Sequence, residues 1–427
     1  MNSTSNPKQK PATLQPWQQV AIFLFACAIV ISRRPDAVFH PQFFAEDGHI
    51  WFADAYNYGW FAALFRTQDG YLQTLPRLGA ALALLVPLSF VPLTLNLICI
   101  VIQALPANLL LLTRSSAWGN LRTRALLAAI YLALPNCFEL SFGITESQWP
   151  FALCAFLLLV AGVPQSIAGR LIEAAVILLC ALTGPFCVLL LPVALVLTWQ
   201  RRDRSRLILA IILAACCALQ AWQLLIVNPA ARSHYANVLG ASPAMFVNLL
   251  AGNVYLGAVI GGNALAARGN PALFAFFLVI ALIGTFLVSA TLLKAPLEFK
   301  LFLFFSAALL AASLISPNTG VPTGVSAWQK LAYSGGTRYW FFPTLAFAWS
   351  IVWCFRSGIA PLKFISAPVV FLMCLGVLRD WRHPAFNETH LADSLRIFQA
   401  APPGTTVTLP EYPDGWTVKL VKNPSAH

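Results

Sequence analysis

An acid-rich stretch stands out in the first quarter of the chain. Glu46 and Asp47 are adjacent, Asp54 follows, and Asp69 lies in the polar segment 68–77. Charged residues make up only 10% of the sequence, so four carboxylates among aromatic residues form an unusual concentration. A positioned carboxylate is able to take a proton from a sugar or lipid hydroxyl, as a general base does. We interpret this stretch as an active site, with Glu46 and Asp47 as the catalytic candidates.

The same residues also allow a structural interpretation. At helical pitch Asp47 and Asp54 fall on one face, with Trp51 and Tyr58 beside them in an aromatic stripe. A short amphipathic helix that lies at a membrane surface, with its acids in water, has this pattern. The adjacent pair of acids at its start favours the catalytic interpretation.

A second set of polar residues falls on the same predicted side of the membrane. Arg338 follows two glycines and opens a predicted transmembrane helix, so we expect its guanidinium at headgroup depth, where it would neutralise a lipid-linked phosphate. Anchoring of the helix by snorkelling is the alternative role of this arginine. The predicted substrate-binding residues are Asp54, Asp69, Tyr71, Arg77, Gln148, His234, Tyr235, Arg338 and Tyr339.

The composition places this chain in a membrane. It has 427 residues, of which 59% are hydrophobic. Its charged fraction is far below the share of about 25% that is usual in soluble domains. The net charge of +12 would indicate nucleic acid in a soluble protein, but here the basic residues lie in short loops between apolar segments, where they set topology. We therefore predict a polytopic protein in contact with membrane lipids and without a nucleic-acid partner.

The hydrophobic segments predict an all-α polytopic membrane protein with about 11 transmembrane helices. An uncleaved first segment, from about 17 to 31, puts the N-terminus in the cytoplasm, and Arg201–Arg206 marks another cytoplasmic loop. The apolar stretches 78–91 and 245–262 are expected to be outer juxtamembrane helices. Counting either one as a span would move the basic residues that follow it to the outside.

Two regions follow from this topology. Residues 1–378 form the predicted transmembrane domain, and its first outer loop, 33–92, contains the acid-rich stretch. Residues 379–427 form a predicted extracytoplasmic C-terminal flap, with a helix and two strands on either side of the turn at 410–415. Such a small α/β flap holds little core of its own, so we expect it to pack on the outer loops.

No motif for nucleotide-driven transport or metal hydrolysis is present. The sequence has no Walker A, GxGxxG or HExxH pattern and no ligand-spaced cluster of His and Cys. All ten cysteines lie in or beside apolar segments, which excludes a disulfide framework. No metal ligand is therefore assigned. The cofactor stays unknown, and a divalent metal stays open without an evident ligand motif.

The whole arrangement resembles the GT-C superfamily of polytopic glycosyltransferases, which use polyprenyl-phosphate sugars. Glu46-Asp47 stands at the position of the acidic pair in the first outer loop, and Arg338-Tyr339 is a looser match to a basic residue of a late outer loop. The resemblance implies that Glu46 or Asp47 activates the acceptor and that Arg338 holds the donor phosphate. Glu46 precedes Asp47, where many members have Asp first, so the choice of base stays open.

The resulting prediction is a membrane glycosyltransferase that acts on the extracytoplasmic face. Its donor would be a polyprenyl-phosphate-linked sugar and its acceptor a glycan, lipid or protein, and the compact loops favour a bacterial inner membrane. Two alternatives are a non-enzymatic transporter of lipid-linked oligosaccharide or polysaccharide, and an O-antigen polymerase or ligase. The acidic first loop favours the glycosyltransferase. A transporter usually carries charge at the membrane midplane, and the polymerase or ligase depends more on outer-loop Arg and His.

Overall fold

The chain folds mainly into helices. The computed structural model describes residues 15–113, 115–141, 143–231, 238–262, 273–321, 324–333 and 336–422. Its α-helices are α1 (Pro16–Arg33), α2 (Asp36–Phe39), α3 (Ala53–Tyr58), α4 (Trp60–Leu64), α5 (Thr74–Ala83), α6 (Val91–Leu112), α7 (Leu121–Leu132), α8 (Gln148–Val160), α9 (Ile167–Ala181), α10 (Phe186–Arg201), α11 (Arg204–Trp222), α12 (Pro243–Asn248), α13 (Gly257–Ile260), α14 (Phe274–Lys294), α15 (Leu297–Ile315), α16 (Ala327–Tyr333), α17 (Thr337–Arg356), α18 (Ala360–Arg379) and α19 (Leu391–Ala400). The strands are β1 (Thr406–Glu411) and β2 (Trp416–Val421). Turns of 3-10 helix lie at Leu88–Phe90, Ser116–Trp118, Phe138–Ser141 and Thr145–Ser147, and π-helical segments at Asp47–Phe52, Gln223–Val227 and Leu249–Leu256.

Seven helical segments of the described chain are long and apolar enough to cross a membrane. They are Pro16–Arg33, Leu88–Leu112, Arg204–Val227, Pro243–Ile260, Phe274–Lys294, Leu297–Ile315 and Ala360–Arg379. All of these except Pro243–Ile260 coincide with predicted crossings. Helices outside this set, α7, α8, α9, α10 and α17, occupy the other predicted crossings. The chain is an integral membrane protein with a helical transmembrane region.

Two segments bear on the predicted number of crossings. The stretch 245–262 is predicted above as a juxtamembrane helix, yet Pro243–Ile260 has the length and composition of a span. That prediction rests on the distribution of charge and not on length, since the apolar stretch in the sequence is as long as the helical segment in the structure. The third crossing, predicted at about 125–140, is shorter because α7 ends at Leu132 and Asn136 adopts a left-handed φ of 56°.

Asn253 connects the segment Pro243–Ile260 to two other parts of the fold. Its side-chain nitrogen donates to the Leu331 carbonyl at 3.0 Å, and the Asn136 side chain donates to the Asn253 carbonyl at 2.8 Å. Leu331 belongs to a loop that the sequence places outside, and Asn136 follows the outer end of α7. The segment is therefore fixed to the predicted outer end of the bundle.

Buried arginines join the helices at each end of the bundle. Arg33, at the end of α1, donates to the carbonyl of Leu132 at 2.9 Å and to that of Asp380 at 3.3 Å. The C-terminal ends of α1, α7 and α18 therefore meet at the end that the sequence places outside. At the opposite end Arg206 Nη1 lies 2.8 Å from Glu173 Oε1, which joins α11 to α9.

Helix α17 lies at the centre of the bundle. Almost every residue between Tyr339 and Cys354 is buried. Trp349 packs its ring 4.7 Å from that of Phe302 in α15 and 5.5 Å from that of Trp118 before α7, measured between ring centroids. A helix that is hydrophobic all round is expected inside a bundle. Its two ends reach the two surfaces of the fold.

The C-terminal residues form a helix and a hairpin that pack on the first outer loop. The strands are antiparallel, with Thr406 opposite Val421. Leu409 and Val418 are fully buried and belong to one apolar cluster with Phe43 of the loop. The predicted small C-terminal α/β element is confirmed. It shares its core with the loop because two strands alone bury too little apolar surface.

Candidate active site

A cavity of about 400 Å³ lies at the predicted outer end of the bundle. It is bounded by the first outer loop, by the N-terminal ends of α8, α10 and α17, and by the C-terminal end of α15. Its lining combines carboxylates, amides and an arginine with aromatic and aliphatic side chains. Among the predicted site residues, those that line it are Glu46, Asp69, Tyr71, Gln148, Arg338 and Tyr339.

The first outer loop presents Glu46 to this cavity. Ala45 has a positive φ of 46°, and the π-helical turn Asp47–Phe52 begins directly after Glu46. Such π-helical turns are frequent at functional sites. Glu46 is half-buried and lines the cavity, and the next residue is fully buried. The turn therefore separates the two adjacent carboxylates.

Asp47 lies outside the cavity lining and holds a neighbouring loop. Its carboxylate accepts hydrogen bonds from the Ile144 amide at 2.8 Å, the Thr145 amide at 3.1 Å and the Thr145 hydroxyl at 2.8 Å. Burial raises the pKa of Asp47 to about 7, and these hydrogen bonds oppose the rise. A methyl group at Gly143, where φ is 53°, would collide with this carboxylate. Asp47 thereby positions the loop that carries Glu146.

Glu146 and Arg338 form an ion pair in the cavity wall. Arg338 Nη1 lies 2.8 Å from Glu146 Oε1, and Nη2 donates to the Asn318 carbonyl at 2.9 Å. Burial raises the pKa of Glu146 to about 7, and Arg338 opposes the rise. Glu139 fixes the start of α17 by accepting from the amides of Gly336 at 2.8 Å and Arg338 at 3.2 Å. Glu146 and the Asn318 carbonyl thus hold the guanidinium beside the cavity, and Glu139 holds the backbone that carries it.

Asp69 reaches the cavity from a tight turn. Gln68 and Tyr71 pair their backbones across it, and Asp69 and Gly70 have φ values of 55° and 85°. The Asn318 side chain donates to Asp69 Oδ2 at 2.6 Å. Because the Asn318 carbonyl also accepts from the Arg338 guanidinium, which pairs with Glu146, these four residues of the lining form one connected network.

Four buried polar atoms in the cavity lining have no hydrogen-bond partner in the described chain. They are Gln73 Oε1, Glu146 Oε2, Trp149 Nε1 and Asn318 Oδ1. A buried polar group without a partner costs about 1–3 kcal/mol, so a group of them indicates a site that a polar ligand completes. The set includes a donor and several acceptors, which suits hydroxyl groups because each hydroxyl both donates and accepts.

The apolar part of the lining comes from two helix ends. Val188 and Leu189 belong to α10, and Leu309 and Ile315 belong to α15. Val188 is 52% exposed and Ile315 73% exposed on the outside of the bundle. The cavity therefore has an apolar rim formed by α10 and α15, and part of this rim is exposed on the outside of the bundle.

Two predicted substrate-binding residues pair with each other away from the cavity. Arg77 Nη1 lies 2.9 Å from Asp54 Oδ2, and Arg66 Nε lies 3.1 Å from the same oxygen. The Arg77 guanidinium also stacks over Trp51, 5.0 Å from the ring centroid. The sequence places Asp54 and Arg77 in one loop but does not reveal that they neutralise each other. The remaining two predicted residues lie outside the described residues: His234 and Tyr235.

Three cavity residues whose buried side-chain oxygen has no partner in the described chain are absent from the predicted site. They are Gln73, Glu146 and Asn318. Glu146 carried a usable signal, because it is an acid in the short polar loop 141–149 between apolar segments. Gln73 and Asn318 carried no comparable signal in the sequence, since Asn and Gln are common in any polar loop.

The described residues contain no group of three His, Cys, Asp or Glu side chains that is placed to hold a metal ion. Two of the carboxylates that line the cavity already contact other protein groups. Glu146 pairs with the guanidinium of Arg338, and Asp69 accepts a hydrogen bond from the side-chain amide of Asn318.

Comparison with known proteins finds matches among solved structures. No protein-family model matches the chain, and no curated protein does. The chain is similar to the archaeal oligosaccharyltransferase AglB from Archaeoglobus fulgidus in complex with an inhibitory peptide and a dolichol-phosphate. The identity is 13% and the TM-score 0.45, over 90% of this chain and 58% of that chain.

Two further solved structures of the Archaeoglobus fulgidus oligosaccharyltransferase are similar to this chain. One is a complex with Zn and sulfate, at 15% identity and a TM-score of 0.41, over 90% of this chain and 56% of that chain. The other is tethered to an acceptor peptide containing the NVT sequon, at 13% identity and a TM-score of 0.42, over 91% of this chain and 58% of that chain.

The chain spans less than three fifths of the length of the solved chains that it matches.

Proposed function

We propose that this chain is a membrane glycosyltransferase that moves a sugar from a polyprenyl-phosphate carrier to an acceptor, with Glu46 as the general base. The observation that carries the proposal is the make-up of one cavity. It combines the carboxylate of Glu46, the guanidinium of Arg338, unpartnered hydrogen-bonding groups and an apolar rim between two helices. A lipid-linked sugar has the matching parts, which are hydroxyl groups, a phosphate and a hydrocarbon chain.

The reaction uses these groups in one displacement. Glu46 takes the proton from the acceptor nucleophile, which forms a bond to the anomeric carbon of the donor sugar. The bond between that carbon and the phosphate oxygen breaks, and the carrier leaves as polyprenyl phosphate. Arg338 stabilises the negative charge on the leaving phosphate through charge-assisted hydrogen bonds. The acceptor is a glycan, a lipid or a protein.

The choice of Glu46 over Asp47 is supported by position. A general base must lie within hydrogen-bond reach of the proton that it removes. Glu46 lines the cavity, whereas the Asp47 carboxylate is 2% exposed and accepts three hydrogen bonds from the loop at 144–145. We assign Asp47 a positioning role in the same site.

The extracytoplasmic face is part of the proposal. The cavity lies at the end of the bundle opposite Arg201–Arg206, the most basic loop of the sequence, and basic loops are retained in the cytoplasm. The compact loops support a bacterial inner membrane. On this face a polyprenyl-phosphate sugar would enter from the outer leaflet, through the apolar rim of the cavity.

The test is sugar transfer by the purified full-length protein. Glu46→Gln keeps the size and shape of the side chain but removes the base, so turnover should fall by about 10²–10⁴-fold. Donor binding and Tm should stay near those of the wild type. Transfer is measured from a radiolabelled polyprenyl-phosphate sugar to extracted acceptors, and the decrease in donor is counted as well as product.

Glu388→Gln is the matched control, because Glu388 is an exposed carboxylate outside the cavity. It should transfer at the wild-type rate. Full turnover by Glu46→Gln would refute Glu46 as the base, and wild-type protein that consumes no polyprenyl-phosphate sugar with any acceptor would refute the glycosyltransferase.

A further inference from the structure

A second cavity, of about 380 Å³, lies among helix ends at the opposite side of the bundle. It is bounded by the N-terminal ends of α7 and α15 and by the C-terminal end of α17. Its lining residues include three tryptophans, one arginine and several small polar residues. Ala117, Trp118, Phe299, Trp349, Trp353 and Arg356 are among them.

The second cavity is separated from the candidate active site by the length of one helix. Arg338 lies in the first turn of α17 and Arg356 ends it. At a rise of about 1.5 Å per residue, this helix of 20 residues is about 30 Å long, which matches the hydrocarbon thickness of a membrane. The two cavities therefore lie at the depths of the two opposite headgroup layers.

The electrostatics of the second cavity favour an anion. Arg356 is exposed and is the one charged residue among the described residues of the lining. Two helices direct their N-terminal ends to this region, since Asn120 caps α7 and Pro296 precedes α15, and both residues line the cavity. Helix N-termini carry partial positive charge. The C-terminal end of α17 carries partial negative charge and weakens this positive potential. The positive charge of Arg356, in the last turn of α17, compensates for that partial charge.

Trp118 adds an independent polar signal. The side chain is 2% exposed, and its indole Nε1 has no hydrogen-bond partner among the described residues. The neighbouring Trp349, in contrast, donates from Nε1 to the Leu127 carbonyl at 3.1 Å. A buried donor without a partner is costly, so its place in a cavity wall indicates an acceptor that the protein does not supply.

The aromatic part of the wall suits a hydrocarbon chain. The Trp118 ring lies 5.8 Å from that of Phe299 and 5.5 Å from that of Trp349, measured between centroids. Tryptophan is enriched where membrane helices meet the headgroup layer, because its ring is apolar and its N–H is polar. A ligand of this cavity would therefore have an anionic group and an apolar portion.

We propose that this cavity binds the headgroup of an anionic phospholipid from the leaflet opposite the candidate active site. Its phosphate lies against Arg356 and the N-terminal ends of α7 and α15, and the start of its acyl chains lies on the tryptophans. Basic pockets between transmembrane helices bind anionic lipid headgroups on this chemical basis. The site is independent of the proposed transfer reaction.

The experiment measures retained lipid on the full-length protein by native mass spectrometry. Delipidated protein is titrated with phosphatidylglycerol, with phosphatidylcholine and with glycerol 3-phosphate in separate samples. We expect one phosphatidylglycerol to bind more tightly than phosphatidylcholine, and glycerol 3-phosphate to bind far more weakly. Arg356→Gln should weaken the binding of phosphatidylglycerol on the order of tenfold, through loss of a charge-assisted contact.

Two further variants make the outcome specific. Arg122→Gln removes the same charge from an exposed position on α7 that does not line the cavity, and it should bind phosphatidylglycerol as the wild type does. Ala117→Phe fills the cavity while Arg356 stays, and it should also weaken binding. Equal binding by Arg356→Gln and the wild type, or equal affinity for the two lipids, would overturn the proposal. Glycerol 3-phosphate binding as tightly as the lipid would instead identify a soluble phosphate as the ligand and overturn the lipid.

Discussion

At the residue scale, two adjacent carboxylates have different surroundings. Glu46 lines the cavity, whereas Asp47 is buried against the amides of Ile144 and Thr145. The positive φ of Ala45 and the π-helical turn that begins at Asp47 direct these two neighbouring side chains to different surroundings. The first outer loop therefore supplies Glu46 as a candidate base. Its next residue, Asp47, holds the loop that carries Glu146 by hydrogen bonds.

Replacement of Arg338 separates phosphate binding from anchoring of α17. Arg338→Lys should keep part of the donor affinity, because lysine keeps the positive charge. It should lose the rest, because a single ammonium group cannot replace the two guanidinium nitrogens that contact Glu146 and the Asn318 carbonyl. Arg338→Ala should lose roughly 10- to 100-fold, since a charged hydrogen bond to the phosphate disappears. Calorimetric titration with a polyprenyl-phosphate sugar measures both affinities.

Arg379→Ala is the control for general loss of positive charge. Arg379 is exposed at the end of α18, on the same side of the bundle, and does not line the cavity. Its donor affinity should match that of the wild type. Unchanged donor binding by a folded Arg338→Ala protein would mean that this arginine serves only to hold the start of α17.

At the element scale, the C-terminal hairpin holds the turn that carries Glu46. The Glu411 carboxylate, 1% exposed, accepts hydrogen bonds from the amides of Gly48 at 2.8 Å and His49 at 3.3 Å, and it lies 2.9 Å from His49 Nδ1. Burial raises the pKa of Glu411, and these partners oppose the rise. The end of β1 is therefore fixed to the start of the π-helical turn.

Gly48→Ala should loosen this contact. A methyl group at Gly48 would collide with the Glu411 carboxylate and with Val418 of β2, so the hairpin has to move. Overpacking of this kind costs typically about 1–3 kcal/mol. We expect faster hydrogen exchange over 406–421 and lower transfer activity, both measured on the purified protein.

Gly162→Ala is the matched control, because a methyl group there would meet no atom within 4 Å. It should exchange and react as the wild type does. If Gly48→Ala left hydrogen exchange in the hairpin unchanged, the hairpin would not be held by this contact.

At the scale of the whole molecule, polar residues at one end and basic residues at the other predict one orientation. The acid-rich loop, the loop before α17 and the C-terminal hairpin should lie outside, and Arg201–Arg206 inside. Single cysteines at Asp203→Cys and Asp414→Cys test this in intact cells with a membrane-impermeant maleimide. We expect labelling at 414 and none at 203.

The background for this measurement has Cys374→Ser, because Cys374 is the exposed native thiol. Both positions should label after the cells are permeabilised, which controls for reactivity. Labelling at 203 but not at 414 in intact cells would reverse the orientation and place the candidate active site in the cytoplasm.

The sequence by itself determined the class of the protein and much of its helical layout. Long runs of apolar residues and the scarcity of charge require a membrane, because exposing such segments to water is unfavourable. The basic loops give the expected orientation. The helix and two strands of the tail also follow from local patterns. Whether Pro243–Ile260 crosses the membrane did not follow, because its length and composition suit a span while the charge distribution places it at the outer surface.

Only the tertiary structure decided which polar residues share a cavity. Arg338 meets Glu146 across 192 positions of the chain, and Asp69 meets Asn318 across 249, whereas Asp54 and Arg77 neutralise each other nearby. Periodicity tells which face of one helix a residue occupies, but it does not tell which other element packs on that face. Contacts between distant segments depend on how all the helices pack at once, and that packing is a property of the whole fold.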